Sequence, residues 1–151
     1  MKIKNLFMLA CTACLLFSCK SGSTVSKTTT LQDTDVETAW GLKSIKTKKV
    51  SFGEGSRVVY IHFNPESKIV SGHAGCNRFF GNYEEPTTGK LVLSHVGSTK
   101  MACPEHEMEL EDMFLSVLNK VNGYRITEDT LELLHNDDVV MTFEKNTMPQ
   151  D

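Results

Sequence analysis

One stretch constrains this chain more than any other: Ser71–Gly81, reading S-G-H-A-G-C-N-R-F-F-G. Three of the ten glycines fall inside these eleven residues, together with a cysteine and a Phe pair. Gly72, Gly75 and Gly81 lack a Cβ, so the backbone there can take positive φ or pass close to another strand. In an extended segment Phe79 and Phe80 face opposite sides. Asn77 can bond its side chain to nearby backbone and fix a turn, and Cys76 needs a partner or a buried position. The stretch therefore predicts a bent, partly buried strand with a cross-link point. An anion cradle is disfavoured, because neither the P-loop nor the dinucleotide glycine spacing is present and no helix follows at once.

The flanking sequence predicts antiparallel strands. Arg57–Phe63 alternates, with Val59, Ile61 and Phe63 on one face and Val58, Tyr60 and His62 on the other. A turn at Asn64-Pro65-Glu66-Ser67 leads to a return strand from Lys68, and Leu91–Val96 reads as another strand. Upstream, Trp40, Leu42 and Ile45 open the apolar pattern, and Trp40, the only tryptophan, is expected in the core. The period then changes. Leu110, Met113, Phe114, Val117, Leu118 and Val121 recur at helical spacing, with Pro104 placed at the first helical position and Asn122-Gly123 as the stop. The carboxylates of Glu105–Asp112 read as a solvated helix face. Tyr124–Ile126, Thr130–Leu134 and Val139–Glu144 complete the strands. The expected fold is α+β, an antiparallel sheet curled into an incomplete barrel with one long helix packed against it.

The N-terminus carries a different signal. Lys2 and Lys4 precede the apolar run Leu6–Phe17, which is shorter than the about 20 residues a spanning helix needs. The run ends Leu16-Phe17-Ser18-Cys19, similar to a bacterial lipoprotein box in which the cysteine is acylated and becomes the new N-terminus. Cys14 fits this pattern less well because apolar residues follow it. The expected organisation is a signal peptide over 1–18, acylated Cys19 with a flexible Ser/Thr/Lys tether over 19–37, one domain over 38–146 and a tail over 147–151. Removing residues 1–18, which carry two lysines and no acid, takes the formal charge from −3 to −5. Such an acidic domain is a poor nucleic-acid binder. The expected location is the bacterial cell envelope, lipid-anchored. Lys20 after the cysteine favours the outer membrane facing the periplasm over the inner membrane.

These residues resemble the META domain family, which includes the heat-inducible HslJ-like lipoproteins of bacteria. The match runs from Trp40 to Phe143. It is carried by Trp40-x-Leu42, by Gly72-x-x-Gly75-Cys76-Asn77-Arg78-Phe79-Phe80-Gly81-x-Tyr83, and by Thr99-x-Met101-Ala102-Cys103. Further matching pieces are Glu111-x-x-Phe114-x-x-x-Leu118, Tyr124-x-Ile126 and Leu131-x-Leu133. One departure is Asp137-Asp138, where the family often has an Asp-Gly turn. The resemblance implies an antiparallel β domain with a helix inserted late, and envelope or secreted roles linked in some members to heat response, antibiotic tolerance or motility. It implies no catalytic residues and no cofactor.

Beside Cys19, processing leaves only Cys76 and Cys103. Export to an oxidising compartment favours a disulfide between them. A reduced buried pair and a zinc site built from His73, Cys76, Cys103 and His106 remain the alternatives. His62, His95 and His135 read as surface or satisfied sheet residues. No nucleophile-elbow or His-Glu-x-x-His element occurs, so catalysis finds little support; a Cys76 nucleophile with His73 or His106 as base is the weak exception. Two functional classes follow. One is a tethered, non-catalytic stress or interaction module that binds another envelope protein. The other is a small-ligand or lipid carrier that uses the mouth of the partial barrel.

Overall fold

The computed structural model describes residues 29–51 and 58–147. The segment expected as a signal peptide, Cys19, most of the segment expected as a tether and the residues after Thr147 lie outside the described residues. Among the described residues nine strands and one α-helix follow in order: β1 Thr38–Ile45, β2 Lys48–Lys49, β3 Tyr60–Phe63, β4 Ile69–His73, β5 Arg78–Glu84, β6 Val92–Ser98, α1 Glu105–Leu118, β7 Gly123–Thr127, β8 Thr130–His135 and β9 Asp138–Thr147. All pairings are antiparallel. The sheet order is β6-β5-β4-β3-β1-β9-β8-β7, with β2 folded back on β1.

The two edge strands approach each other at one end. Lys90 bridges Gly123, Tyr124 N–H donates to the Gly89 carbonyl at 2.9 Å, and Leu91 N–H donates to the Asn122 carbonyl at 3.3 Å. The sheet thus curls into an incomplete barrel, as the strand pattern predicts.

The interior follows from period-2 alternation. Along β5, Phe79, Gly81 and Tyr83 are buried while Arg78, Phe80, Asn82 and Glu84 are exposed. Trp40, Leu42, Ile61, Phe63, Val70, Leu131, Leu133, Met141 and Phe143 fill the same core from the other strands. The helix supplies Phe114, Val117 and Leu118. Phe114 lies between two strands of the sheet, 5.3 Å from the Phe79 ring and 6.4 Å, edge to face, from the Phe143 ring. The helix therefore closes the concave side of the sheet by packing into it.

Several boundaries differ from the sequence reading. Leu31 sits in a one-turn 3-10 helix, Leu31–Asp33, and is fully buried in the core. Part of the segment expected to be tether thus packs into the domain core. Regular strand begins at Tyr60 rather than Arg57, which lies outside the described residues, although Val59 still accepts from Leu42 N–H at 2.9 Å. Pro104 precedes the helix as its cap, one place earlier than expected. Its carbonyl accepts from Glu107 N–H at 3.0 Å. The helix stops at Leu118, because Asn122 and Gly123 are already taken into sheet pairing. The last hairpin keeps a two-residue turn despite the departure at Asp137-Asp138. Asn136 (φ 50°) and Asp137 (φ 72°) both adopt the left-handed conformation such a turn requires.

Candidate functional site

The glycine-rich stretch builds a junction between sheet and helix. A Cβ on Gly72 would lie 2.0 Å from the Tyr60 carbonyl oxygen of the neighbouring strand and 2.9 Å from the Phe79 ring, so no larger residue fits. Gly75 has φ 136°, and a Cβ there would meet the Glu107 carbonyl oxygen of the helix at 2.8 Å. Gly72 thus lets β4 pass close to β3 and the Phe79 ring, and Gly75 lets the 74–77 turn lie directly against α1. Cys76 and Cys103 form a disulfide with Cα atoms 5.8 Å apart, joining that turn to the residue before the helix cap.

Asn77 organises the rest. Its side-chain Oδ1 accepts from the Thr99 hydroxyl at 2.8 Å and from Met101 N–H at 2.7 Å. Its Nδ2 donates to Glu111 Oε1 at 3.1 Å and to the Met101 carbonyl at 3.4 Å. Its backbone N–H donates to Glu111 Oε2 at 2.6 Å, and its carbonyl accepts from Ala74 N–H at 2.9 Å. Both Asn77 and Glu111 are buried. A buried carboxylate normally needs compensating donors; here one asparagine gives it two. This corrects the expectation that the carboxylates of 105–112 all lie on a solvated face: Glu111 shares the buried side of α1 with Phe114 and Leu118.

Most of the sequence motif meets at this point. Gly72, Gly75, Cys76, Asn77, Thr99, Met101 and Cys103 all contribute, and Met101 does so through its backbone while its side chain is exposed. Trp40 lies apart, buried in β1, and Gly81 is buried within β5. Arg78 begins β5 on the outer face. His73 is buried, with Nδ1 accepting from Gly75 N–H at 3.4 Å, whereas His106 is exposed in the first turn of the helix. With both sulfurs in the disulfide, Cys76 and Cys103 offer neither a thiolate ligand nor a nucleophile. No group of three or more potential metal ligands gathers among the described residues. Of the other histidines, His62 is buried with Nε2 2.7 Å from the Val36 carbonyl, and His135 Nδ1 lies 2.6 Å from the Lys120 carbonyl.

A second site was not legible in the sequence. A recess of about 460 Å³ opens beside the N-terminal segment, lined by Thr30, Gln32, Lys68, Tyr83, Glu84, Glu85 and Thr88. Tyr83 forms its floor. The Tyr83 hydroxyl donates to the Asn64 carbonyl at 3.2 Å, and its ring packs edge to face on Phe63 at 5.1 Å. The Lys68 ammonium sits 5.7 Å from the Tyr83 ring centre and bonds Gln32 Oε1. Glu85 Oε1 accepts from the Tyr124 hydroxyl, whose oxygen in turn accepts from Leu31 N–H at 3.4 Å. Glu85 Oε2 is shielded from water and has no donor among the described residues. Burial, reinforced by the Glu85 charge, pushes the Tyr83 phenol up to about 12. Burial and the bond to Glu85 likewise push the Tyr124 phenol up.

Fold and junction define the class: an incomplete antiparallel β-barrel filled by one inserted helix, which a disulfide and a buried Asn–Glu contact hold in place. The META domain model matches residues 29–147, and the chain belongs to the META domain family. Two structures solved by NMR share the fold. One, a protein from Burkholderia xenovorans, is 22% identical with a TM-score of 0.57, over 74% of this chain and 83% of its own. The other is 24% identical with a TM-score of 0.56, over 72% of this chain and 89% of its own. No curated protein matches the chain.

Proposed function

We propose that this chain is a lipid-anchored lipoprotein of the bacterial cell envelope whose META domain is a rigid, non-catalytic interaction module. The observation that carries the proposal is the use made of the motif. Asn77, Thr99, Met101, Cys76 and Cys103 are spent on one another and on Glu111, so they brace the fold instead of facing a substrate. A disulfide in this position suits a compartment outside the cytosol, in keeping with the charged and apolar leader that ends at Cys19. Attachment is through the acylated Cys19, to the outer membrane facing the periplasm. The partner is another envelope protein, met during stress. Ile69, Phe80 and Val92 expose apolar side chains on the outer face of β4, β5 and β6, with Phe80 56% exposed, and offer contact points set among Asn82 and Glu84. Nucleic acid is not a partner, given the acidic charge. A carrier that encloses its ligand inside the barrel is disfavoured, since Trp40, Phe79, Phe114 and Phe143 occupy that space.

The test is intact mass of protein purified from its native membrane. The expected result is an N-terminal Cys19 bearing two or three acyl chains. Two alkyl groups should be gained only after reduction. A Cys19→Ser variant should leave the membrane fraction. A processed chain without lipid, or thiols that alkylate without reduction, would overturn the proposal.

A further inference from the structure

The recess beside the N-terminal segment has the features of a ligand site that the interaction reading does not use. Its volume of about 460 Å³ falls in the range that small-molecule sites occupy, roughly 300–1,000 Å³. Its walls carry the hydroxyls of Thr30 and Thr88, the amide of Gln32, and two carboxylates, Glu84 and Glu85, against one ammonium, Lys68. Glu85 is the unusual member. One oxygen is fixed by the Tyr124 hydroxyl; the other is shielded from water with no donor among the described residues. A buried acceptor without a donor is unfavourable and calls for an explanation. Lys68 is held elsewhere, over the Tyr83 ring and against Gln32. Glu85 lines the recess, and presenting Oε2 to a ligand there takes a turn of its carboxyl about the soft last torsion, with the Tyr124 bond given up in exchange for the ligand's.

We propose that this recess binds a small hydroxylated primary amine of monosaccharide size, such as an amino sugar, with Glu85 as the anchoring carboxylate. The ligand ammonium donates to Glu85 Oε2 in a charge-assisted hydrogen bond. Its hydroxyls reach Thr30, Thr88 and Gln32, and Glu84 adds a second negative charge at the rim. Lys68 is held over the Tyr83 ring and against Gln32, and its charge disfavours a second cationic group on the ligand. The site depends on residues 30–32 lying beside Lys68 and the end of β5, which the burial of Leu31 secures. It is independent of the lipid anchor.

The probe is D-glucosamine, titrated into the full chain in detergent micelles and followed by 1H–15N correlation spectra. D-glucose serves as the neutral near-isostere. The expected result is saturable shifts confined to residues 30–32, 68 and 83–88, with a millimolar dissociation constant. D-glucose should bind at least tenfold more weakly, and Glu85→Gln should weaken glucosamine binding at least tenfold. Absence of saturable shifts, an equal response to both sugars, or unchanged affinity in a folded Glu85→Gln variant would overturn the proposal. If Glu85→Gln does not fold, the two-sugar comparison on the unaltered chain decides.

Discussion

Asn77→Asp replaces one amide nitrogen by oxygen at the centre of the junction and keeps the side chain's shape. The bonds from the Thr99 hydroxyl and Met101 N–H to the unchanged oxygen are preserved. The altered atom, however, stands 3.1 Å from Glu111 Oε1, where a donor becomes a second acceptor. Two carboxylates at that separation repel by about 5 kcal/mol at an effective dielectric constant of about 20. The variant avoids this by binding one shared proton. Holding it at pH 7 against an ordinary carboxyl affinity near pH 4 costs about 4 kcal/mol, at about 1.4 kcal/mol per pH unit. Because the pair's affinity is raised in the folded state, stability is present at low pH and lost as pH rises. The variant should therefore be about 4 kcal/mol less stable than the parent at pH 7 and close to it at pH 4. Urea unfolding followed by the fluorescence of Trp40, the sole tryptophan and a buried one, reads this directly. Asn77→Ala is the control: it loses the same donor without adding charge, so its deficit should not recover on acidification. Parent-like stability of Asn77→Asp at pH 7, or a deficit that stays constant between pH 7 and 4, would refute the reasoning.

Three further outcomes are expected. Reducing the Cys76–Cys103 bond, which spans 27 positions, should cost about 3.5 kcal/mol by the chain-entropy argument, seen as a lower urea midpoint in reductant. Gly72→Ala should cost more than about 4 kcal/mol or prevent folding, because its Cβ would meet backbone at 2.0 Å; thermal melts by circular dichroism check this. With the Tyr83 and Tyr124 phenols held protonated in the folded chain, the unfolded chain ionises first above about pH 10. Stability should then fall as pH rises from about 10 through about 12, and Tyr83→Phe should flatten part of that slope in pH-dependent urea titrations.

The sheet was legible because burial on one face imposes a two-residue period, which β5 displays without a break from Arg78 to Glu84. The helix was legible from Phe114, Val117 and Leu118. Its end was not, since Val121 is buried by the loop that follows rather than by the helix. The burial of Glu111 was not legible for an electrostatic reason. In a run of carboxylates, only the approach of a particular turn decides which one gives up water, and that approach depends on Gly75. Leu31 was hidden by its neighbours: one apolar residue among Thr, Gln and Asp has no period to announce it. The recess had no local signature either, because its walls come from the N-terminal segment, the turn before β4, the end of β5 and the loop beyond it. A residue pattern reports contacts made within one element, and a site gathered from several leaves little trace in any of them.

Strand β9 pairs with β1 on one side and β8 on the other, and it is the one lateral link in the path between the two halves of the sheet. On a growing chain, Thr38 waits for Thr147, so β1 keeps an open hydrogen-bonding edge until the last strand is made. That interval is the domain's period of greatest exposure to pairing with the wrong chain. A product that stops after His135 would make the interval permanent. It would leave a six-strand piece, β1 to β6, with a bare edge beside a stray hairpin, and it should be found in aggregates rather than as a smaller folded domain.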